Sequence, residues 1–158
     1  MPTQTLARVT EMTPLNDFAW SMTLEVSDMI RTTLKNPGQF VHVKCGDQRL
    51  LRRPISVCSC SEDSPSDLLR LVFEVRGDGT DWLAHRTVGD KVDVMGLLGN
   101  GFTLPPTGRY LLVGGGIGVP PMLGCAQSAP GRCDAVLGFR DKAHALLMDD
   151  FAPVCPTV

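Results

Sequence analysis

Three stretches of this sequence place residues that can grip phosphate at spacings a folded chain could use. The first is Leu51-Arg52-Arg53-Pro54-Ile55-Ser56-Val57. Arg53 offers a planar fork of donors suited to a phosphate pair. Pro54 has no amide proton to give a sheet ladder, so it belongs at a strand start or edge, where a ligand can lie against the backbone. Side chains alternate along a strand, so Pro54 and Ser56 share one face while Arg53 and Ile55 share the other. A bend at the proline would bring Arg53 and Ser56 to one ligand. The alternative is a surface arginine pair ahead of a core strand. The second stretch, Gly77-Asp78-Gly79-Thr80, precedes residues 81–85, which read as a short helix with Thr80 or Asp78 as its N-cap. First-turn amides attract anions and the glycines allow close approach, although a plain capped helix at a barrel corner has the same pattern.

The third stretch is Gly114-Gly115-Gly116-Ile117-Gly118-Val119-Pro120-Pro121, directly after the apolar run Tyr110-Leu111-Leu112-Val113. Its glycine spacing is not G-x-G-x-x-G, and no lysine follows in the Walker A position. Asp134, the acidic residue about 20 positions on, sits near the start of the next strand, the wrong end for a ribose contact. A strand–glycine turn–helix context still suits a nucleotide diphosphate of another α/β family, or else a purely structural turn.

These stretches need elements to hold them. Residues 3–10, 19–26, 39–44, 53–60, 68–76 and 91–95 read as six short strands separated by turn residues, an antiparallel barrel or sandwich. The clearest is 19–26, where Trp20, Met22, Leu24 and Val26 alternate with Ser21, Thr23 and Glu25. In 68–76, Leu69, Leu71, Phe73 and Val75 face away from Arg70, Val72 and Glu74. Residues 45–50 and 61–67 read as polar loops, and 96–102 as a loop too rich in glycine for regular structure. Pro105-Pro106-Thr107-Gly108 is a linker, and the pattern then changes. Residues 110–113 and 133–138 read as buried parallel strands around a helix with Pro120 or Pro121 in its first turn, and 143–151 as a last short helix. The expected fold is all-β plus α/β. A six-stranded antiparallel barrel over 1–105 is followed by an incomplete doubly wound nucleotide-binding domain over 106–158.

The 158 residues are 43% hydrophobic and 20% charged, as in a soluble globular protein. A net charge of −2 argues against nucleic-acid or polybasic membrane partners. No apolar run approaches the ~20 residues that span a bilayer. The first residues lack a basic start and an apolar core, so no secretory signal is expected and the expected location is cytoplasmic. Cys45, Cys58, Cys60, Cys125, Cys133 and Cys155 have no metal or iron–sulfur spacing and read as free, mostly buried thiols. His42, His85 and His144 have no catalytic context.

Taken in order, the three stretches resemble the ferredoxin reductase-type flavoprotein family. Within it they are most similar to the electron-transfer subunits of bacterial dihydroorotate dehydrogenase B. Leu51 to Val57, Gly77-Asp78-Gly79-Thr80-Asp81-Trp82-Leu83 and Gly99-Asn100-Gly101-Phe102 carry that narrower likeness, together with Gly114 to Pro121. The resemblance implies an FAD-binding barrel and a nicotinamide-nucleotide domain. Arg53 would neutralise the flavin diphosphate, and Ser56 would stand near N5, with Pro54 and Ile55 shaping the strand. Val72, Phe73 and Glu74 would line the ribityl or adenine side, and Gly79 and Thr80 would receive phosphate. Gly114, Gly115, Gly116 and Gly118 would admit NADH. The implied partner is a dihydroorotate-oxidising flavoprotein subunit in a hetero-oligomer, with NAD at the other end of the path. Alternatives are a ferredoxin:NADP oxidoreductase-type complex and a non-catalytic barrel interaction module.

Two departures stand out. Leu97 replaces the proline of the family's Gly-Pro-Leu-Gly loop, which would loosen that loop. The chain also stops at Val158, before the cysteine-rich segment that holds a [2Fe-2S] cluster in the family. A fragment, a truncated product or a diverged short form is expected, with its NAD site incomplete.

Overall fold

A computed structural model describes residues 3–48, 50–62 and 66–158. Six antiparallel strands close a barrel: β1 (Thr3–Pro14), β2 (Ala19–Glu25), β3 (Phe40–Val43), β4 (Arg53–Glu62), β5 (Asp67–Glu74) and β6 (Lys91–Leu98), in the order β1-β2-β5-β4-β3-β6. Alternation sets the register. Met22 lies opposite Leu71 and Leu24 opposite Leu69, and all four are buried in the barrel core. Closure leaves no strand edge free.

A bulge in β4 joins this core to a second one. The β4–β5 register shifts between Val57 and Ser59, so the consecutive residues Val57 and Cys58 are both buried. Val57 points into the barrel. Cys58 joins Ala19 and Val72 on its outer face, beneath α3 (Val119–Ser128). Gly124 permits this contact, since a Cβ there would lie 3.1 Å from the Cys58 carbonyl oxygen. Behind α3 stand two parallel strands, β7 (Tyr110–Gly115) and β8 (Cys133–Gly138).

The two parallel strands are not buried throughout, as the apolar runs imply. Leu112 and Ala135 are covered, whereas Leu111, Val113 and Val136 are 65%, 67% and 54% exposed. Only the face toward α3 is covered within the described chain. Arg70 crosses between the lobes, its Nε donating to Ser21 Oγ and its guanidinium paired with Asp150.

Other expectations change at their edges. Residues 96–98 are strand rather than loop, because Thr3 pairs with Gly96 and Phe40 with Leu98. Leu97 is not loose. It is buried, and its amide donates to Thr33 Oγ1 at 2.8 Å, a bond proline could not make. Residues 143–151 are not one helix. A turn of 3-10 helix (Lys142–His144) is separated from a short helix (Met148–Phe151) by Leu147 in the left-handed region. The strand read over 68–76 stops at Glu74. Of the loop read over 61–67, Ser61 and Glu62 end β4 and Asp67 begins β5, while Asp63, Ser64 and Pro65 lie outside the described residues, as do Arg49 and the first two residues of the chain.

One element, α1 (Met29–Thr33), has no counterpart in the sequence reading. Its nominal cap, Asp28, makes no side-chain cap bond. Asp67 on β5 supplies it instead, Oδ2 accepting from the amides of Ile30 and Arg31 at 3.1 and 3.2 Å. Asp67 is itself fully buried and paired with Arg31 at 2.9 Å. Such a tertiary cap is invisible to local patterning.

Candidate functional site

The start of β4, the end of β5 and the loop after it enclose a cleft of about 270 Å³. Its lining includes Arg53, Pro54, Ile55, Ser56, Val72, Phe73, Glu74 and Thr80, which are eight of the thirteen residues marked by the sequence and its resemblance. Arg76 and Ile117 complete the lining and were not marked. The volume is just under the ~300–1,000 Å³ usual for sites that enclose a drug-sized ligand, so a ligand of that size would lie partly along the open surface.

The two neighbouring arginines have different roles. Arg52 is committed to Asp93, with Nη1 to Oδ1 at 3.0 Å and Nη2 to Oδ2 at 2.7 Å. Those hydrogen bonds hold the Asp93 carboxyl below its ordinary range. Arg52 thereby ties the entry of β4 to β6. Arg53 is half-buried in the cleft, and among the described residues its guanidinium has no hydrogen-bond or ion-pair partner. A half-buried cation without a counter-ion is suited to an incoming anion.

Gly79 explains how Arg53 reaches this position. A Cβ at residue 79 would lie 2.6 Å from Arg53 Nε and 3.2 Å from its Cγ, so the arginine stem lies across the bare glycine. The helix α2 (Asp78–Ala84) begins three residues earlier than the sequence implies. Its N-cap is Gly77, not Thr80 or Asp78, and Thr80 stands in the first turn. Thr80 Oγ1 accepts from the amides of Arg76 and Gly77 at 2.9 and 3.3 Å and donates to the Gly77 carbonyl at 3.0 Å. These bonds close the turn that carries Arg76. Leu83 is fully buried and Trp82 packs against the barrel core, with the Arg86 guanidinium 4.0 Å from its ring centre.

The glycine turn is placed differently. Gly114 and Gly115 end β7, and Gly116 to Gly118 form one turn of 3-10 helix before α3. None of these glycines lines the cleft; Ile117 does, from among them. Ile117 was legible only as the one apolar side chain in a glycine run. Arg76 was legible as a cation next to Gly77, but its strand reading hid it.

A larger cavity of about 590 Å³ lies between the loop after α1, the second half of β4 and α3. It contains none of the marked residues, and Lys35 and Glu62 are the charged groups in its lining. Five of the six thiols are buried and Cys60 is half-buried. Burial pushes Cys58 up to about 12 and Cys125 up to about 11, so these sulfurs stay protonated and unreactive. Among the described residues no three His, Cys, Asp or Glu side chains gather as metal ligands, so an iron–sulfur cluster does not fit them. No helix among the described residues is long and apolar enough to cross a membrane.

No family model matches the chain. Curated relatives do. The chain is 42% identical over 137 residues to the electron transfer subunit of dihydroorotate dehydrogenase B (NAD(+)) of Geobacillus kaustophilus, covering 82% of this chain and 52% of that protein. It is 41% identical over 136 residues to the subunit of the same name from Desulforamulus reducens, covering 82% and 50%. The chain thus spans about half the length of the curated relatives it matches. Among solved structures, an NADH-dependent reduced ferredoxin-NADP oxidoreductase superposes with a TM-score of 0.82 at 26% identity, covering 98% of this chain and 56% of that one. The ferredoxin reductase of a carbazole 1,9a-dioxygenase superposes with a TM-score of 0.81 at 21% identity, covering 99% and 51%, a likeness of fold.

Proposed function

We propose that the chain is a flavoprotein of the ferredoxin reductase type, that its cleft binds FAD and that it serves as the flavin-bearing electron-transfer part of a dihydroorotate dehydrogenase B. This reading is supported by its likeness to subunits of that name and to the ferredoxin-NADP oxidoreductase fold. Its partners would be a dihydroorotate-oxidising flavoprotein subunit and NAD. The observation that carries this reading is the partnerless, half-buried Arg53 guanidinium in a cleft with apolar walls at Pro54, Ile55, Phe73 and Ile117. The residues fit the group: an open cation for a diphosphate, apolar surface for a ring, and a hydroxyl at Ser56 exposed beside it. FAD bound there would supply the exchange of a hydride for single electrons.

The chain's own residues bind and orient. Arg53 offsets phosphate charge, and Arg52, fixed by Asp93, holds the strand from which Arg53 and Ser56 project. Ser56 offers its hydroxyl to the ring edge. Gly114 to Gly118 leave the β7–α3 turn without side chains at the approach for a nicotinamide nucleotide, except for Ile117. A subunit of a ferredoxin:NADP oxidoreductase-type complex is the second reading, favoured by the 0.82 superposition. Co-purification with a dihydroorotate-oxidising subunit separates the two.

The test is direct. The purified chain, incubated with FAD and desalted, should keep flavin absorption in the visible. Arg53→Ala should weaken FAD binding by ~1.5–3 kcal/mol, roughly ten- to a hundredfold in Kd. A protein left colourless by this treatment would remove the flavin reading.

A further inference from the structure

The cleft contains a second arginine that neither the sequence motifs nor the implied site roles assign. Arg76 follows the end of β5 by two residues and lines the same cleft as Arg53. Two bonds fix it there. Its amide donates to Thr80 Oγ1 at 2.9 Å, and its Nε donates to Glu74 Oε2 at 2.7 Å. Glu74 is mostly covered, with 18% of its side chain exposed, whereas Arg76 is 71% exposed. The carboxylate takes the Nε and Nη2 edge of the guanidinium and so serves as a half-buried brace, leaving Nη1 without a partner among the described residues at the cleft mouth. Val57 pairs with Leu71, and following β4 and β5 from that pair toward the cleft brings Arg53 across from the loop that carries Arg76. The two guanidinium groups thus stand on opposing strand ends of one cleft. Glu74 is the one carboxylate in the lining, and it balances only one of the two cations. Asp78 and Asp81 of the neighbouring helix are not part of that lining.

One excess positive charge and two guanidinium groups lining one cleft match a ligand with two linked phosphates better than one with a single phosphate or none. We propose that Arg76 is a second phosphate-binding cation of the cleft, and that the Arg53–Arg76 pair sets its preference for a flavin dinucleotide over FMN and riboflavin. This rests on the reading of the cleft as a flavin site. Glu74 acts as a positioning residue for Arg76 and, in this role, touches no ligand through its side chain.

The test is a fluorescence-quenching titration of the whole chain with riboflavin, FMN and FAD, for the unaltered protein, Arg53→Ala, Arg76→Ala and Arg76→Lys. Arg76→Ala should raise the Kd for FAD about tenfold, the worth of one charge-assisted hydrogen bond, and leave riboflavin within about twofold. Arg76→Lys, which keeps the charge but loses the fork, should fall between. Retained riboflavin binding shows that the variant is folded. An Arg76→Ala protein whose FAD-to-riboflavin ratio is unchanged overturns the proposal, leaving Arg76 as half of a surface ion pair. Equal weakening of all three ligands overturns it too, because the effect would then not follow phosphate. If the unaltered chain binds none of the flavins, it is the flavin reading that falls. If it binds FAD and only Arg53→Ala weakens it, that reading stands and this inference alone fails.

Discussion

The two hydrophobic cores of this molecule are built from similar side chains but closed in different ways. The barrel core is enclosed on all sides by six strands, each paired with two neighbours. The second core lies between the barrel's outer face, α3 and one side of a two-stranded sheet, and the other side of that sheet displays Leu111, Val113 and Val136 to solvent. Parallel sheets are ordinarily covered on both faces. The barrel thus fixes its residues by topology, whereas the α/β lobe is fixed chiefly by what it leans on. The cleft reflects this difference: nine of its ten lining residues come from the barrel strands and the segments that connect them, α2 included, and one, Ile117, from the lobe.

The largest effect that could break this comparison is a matched pair of truncations. Leu71 in the barrel and Leu123 in α3 are both fully buried. Leucine-to-alanine changes in cores cost about 2–5 kcal/mol, and the cost depends on how far the surroundings can collapse into the space. Leu71→Ala should fall near the top of that range, because paired strands surround it. Leu123→Ala should fall near the bottom, since a lobe with one open face can shift. Chemical unfolding midpoints of the two variants decide the matter. Equal costs would mean that α3 is held as rigidly as the barrel.

A smaller effect sharpens the same contrast inside the cleft. Gly79→Ala would put a methyl 2.6 Å from Arg53 Nε, the far part of a flexible side chain that can move aside. The expected outcome is a shifted Arg53 and FAD affinity lower by about 1 kcal/mol, with folding stability changed by less than about 0.5 kcal/mol. Parallel FAD titration and thermal unfolding check it. A large stability loss with unchanged affinity would show that Gly79 serves packing rather than the placement of Arg53.

Most of the barrel could be read from the chain because its signals are local. Trp20 to Val26 alternates, and so do Leu69, Leu71 and Phe73 against Arg70, Val72 and Glu74. What could not be read depends on partners distant in sequence. Helix α1 is capped by Asp67, and the bulge that sends Val57 and Cys58 into different cores exists only against β5. The site divides in the same way. The phrase containing Arg53 lies along one strand, and eight marked residues meet in one cleft. Nothing in the two adjacent arginines themselves says that Arg52 would be consumed by Asp93 while Arg53 stays open. Leu111, Val113 and Val136 were misjudged as buried because an apolar run does not report how many faces of a sheet are covered.

The smallest effect compares one ion pair of the barrel with one of the lobe. Arg52–Asp93 ties barrel strands together with side chains 20% and 23% exposed, while Arg109–Asp134 lies on the lobe with 57% and 33% exposed. Hydrogen bonds from the arginines hold both carboxyls below their ordinary range. A carboxyl depressed in the folded state contributes above its unfolded value, near ~3.9, and loses that contribution as pH falls through the folded value. Acid should therefore weaken both pairs, and the barrel pair contributes no more than about 1 kcal/mol. Salt should separate them. Raising ionic strength from about 0.1 M to about 1 M shortens the screening length from ~10 to ~3 Å and acts mainly on exposed charges. At neutral pH the destabilisation by Asp134→Asn should vanish in high salt, while that by Asp93→Asn should persist. Unfolding midpoints at the two salt concentrations give the answer. An equal loss for both variants would mean that the barrel shields its arginine pair no better than the lobe does.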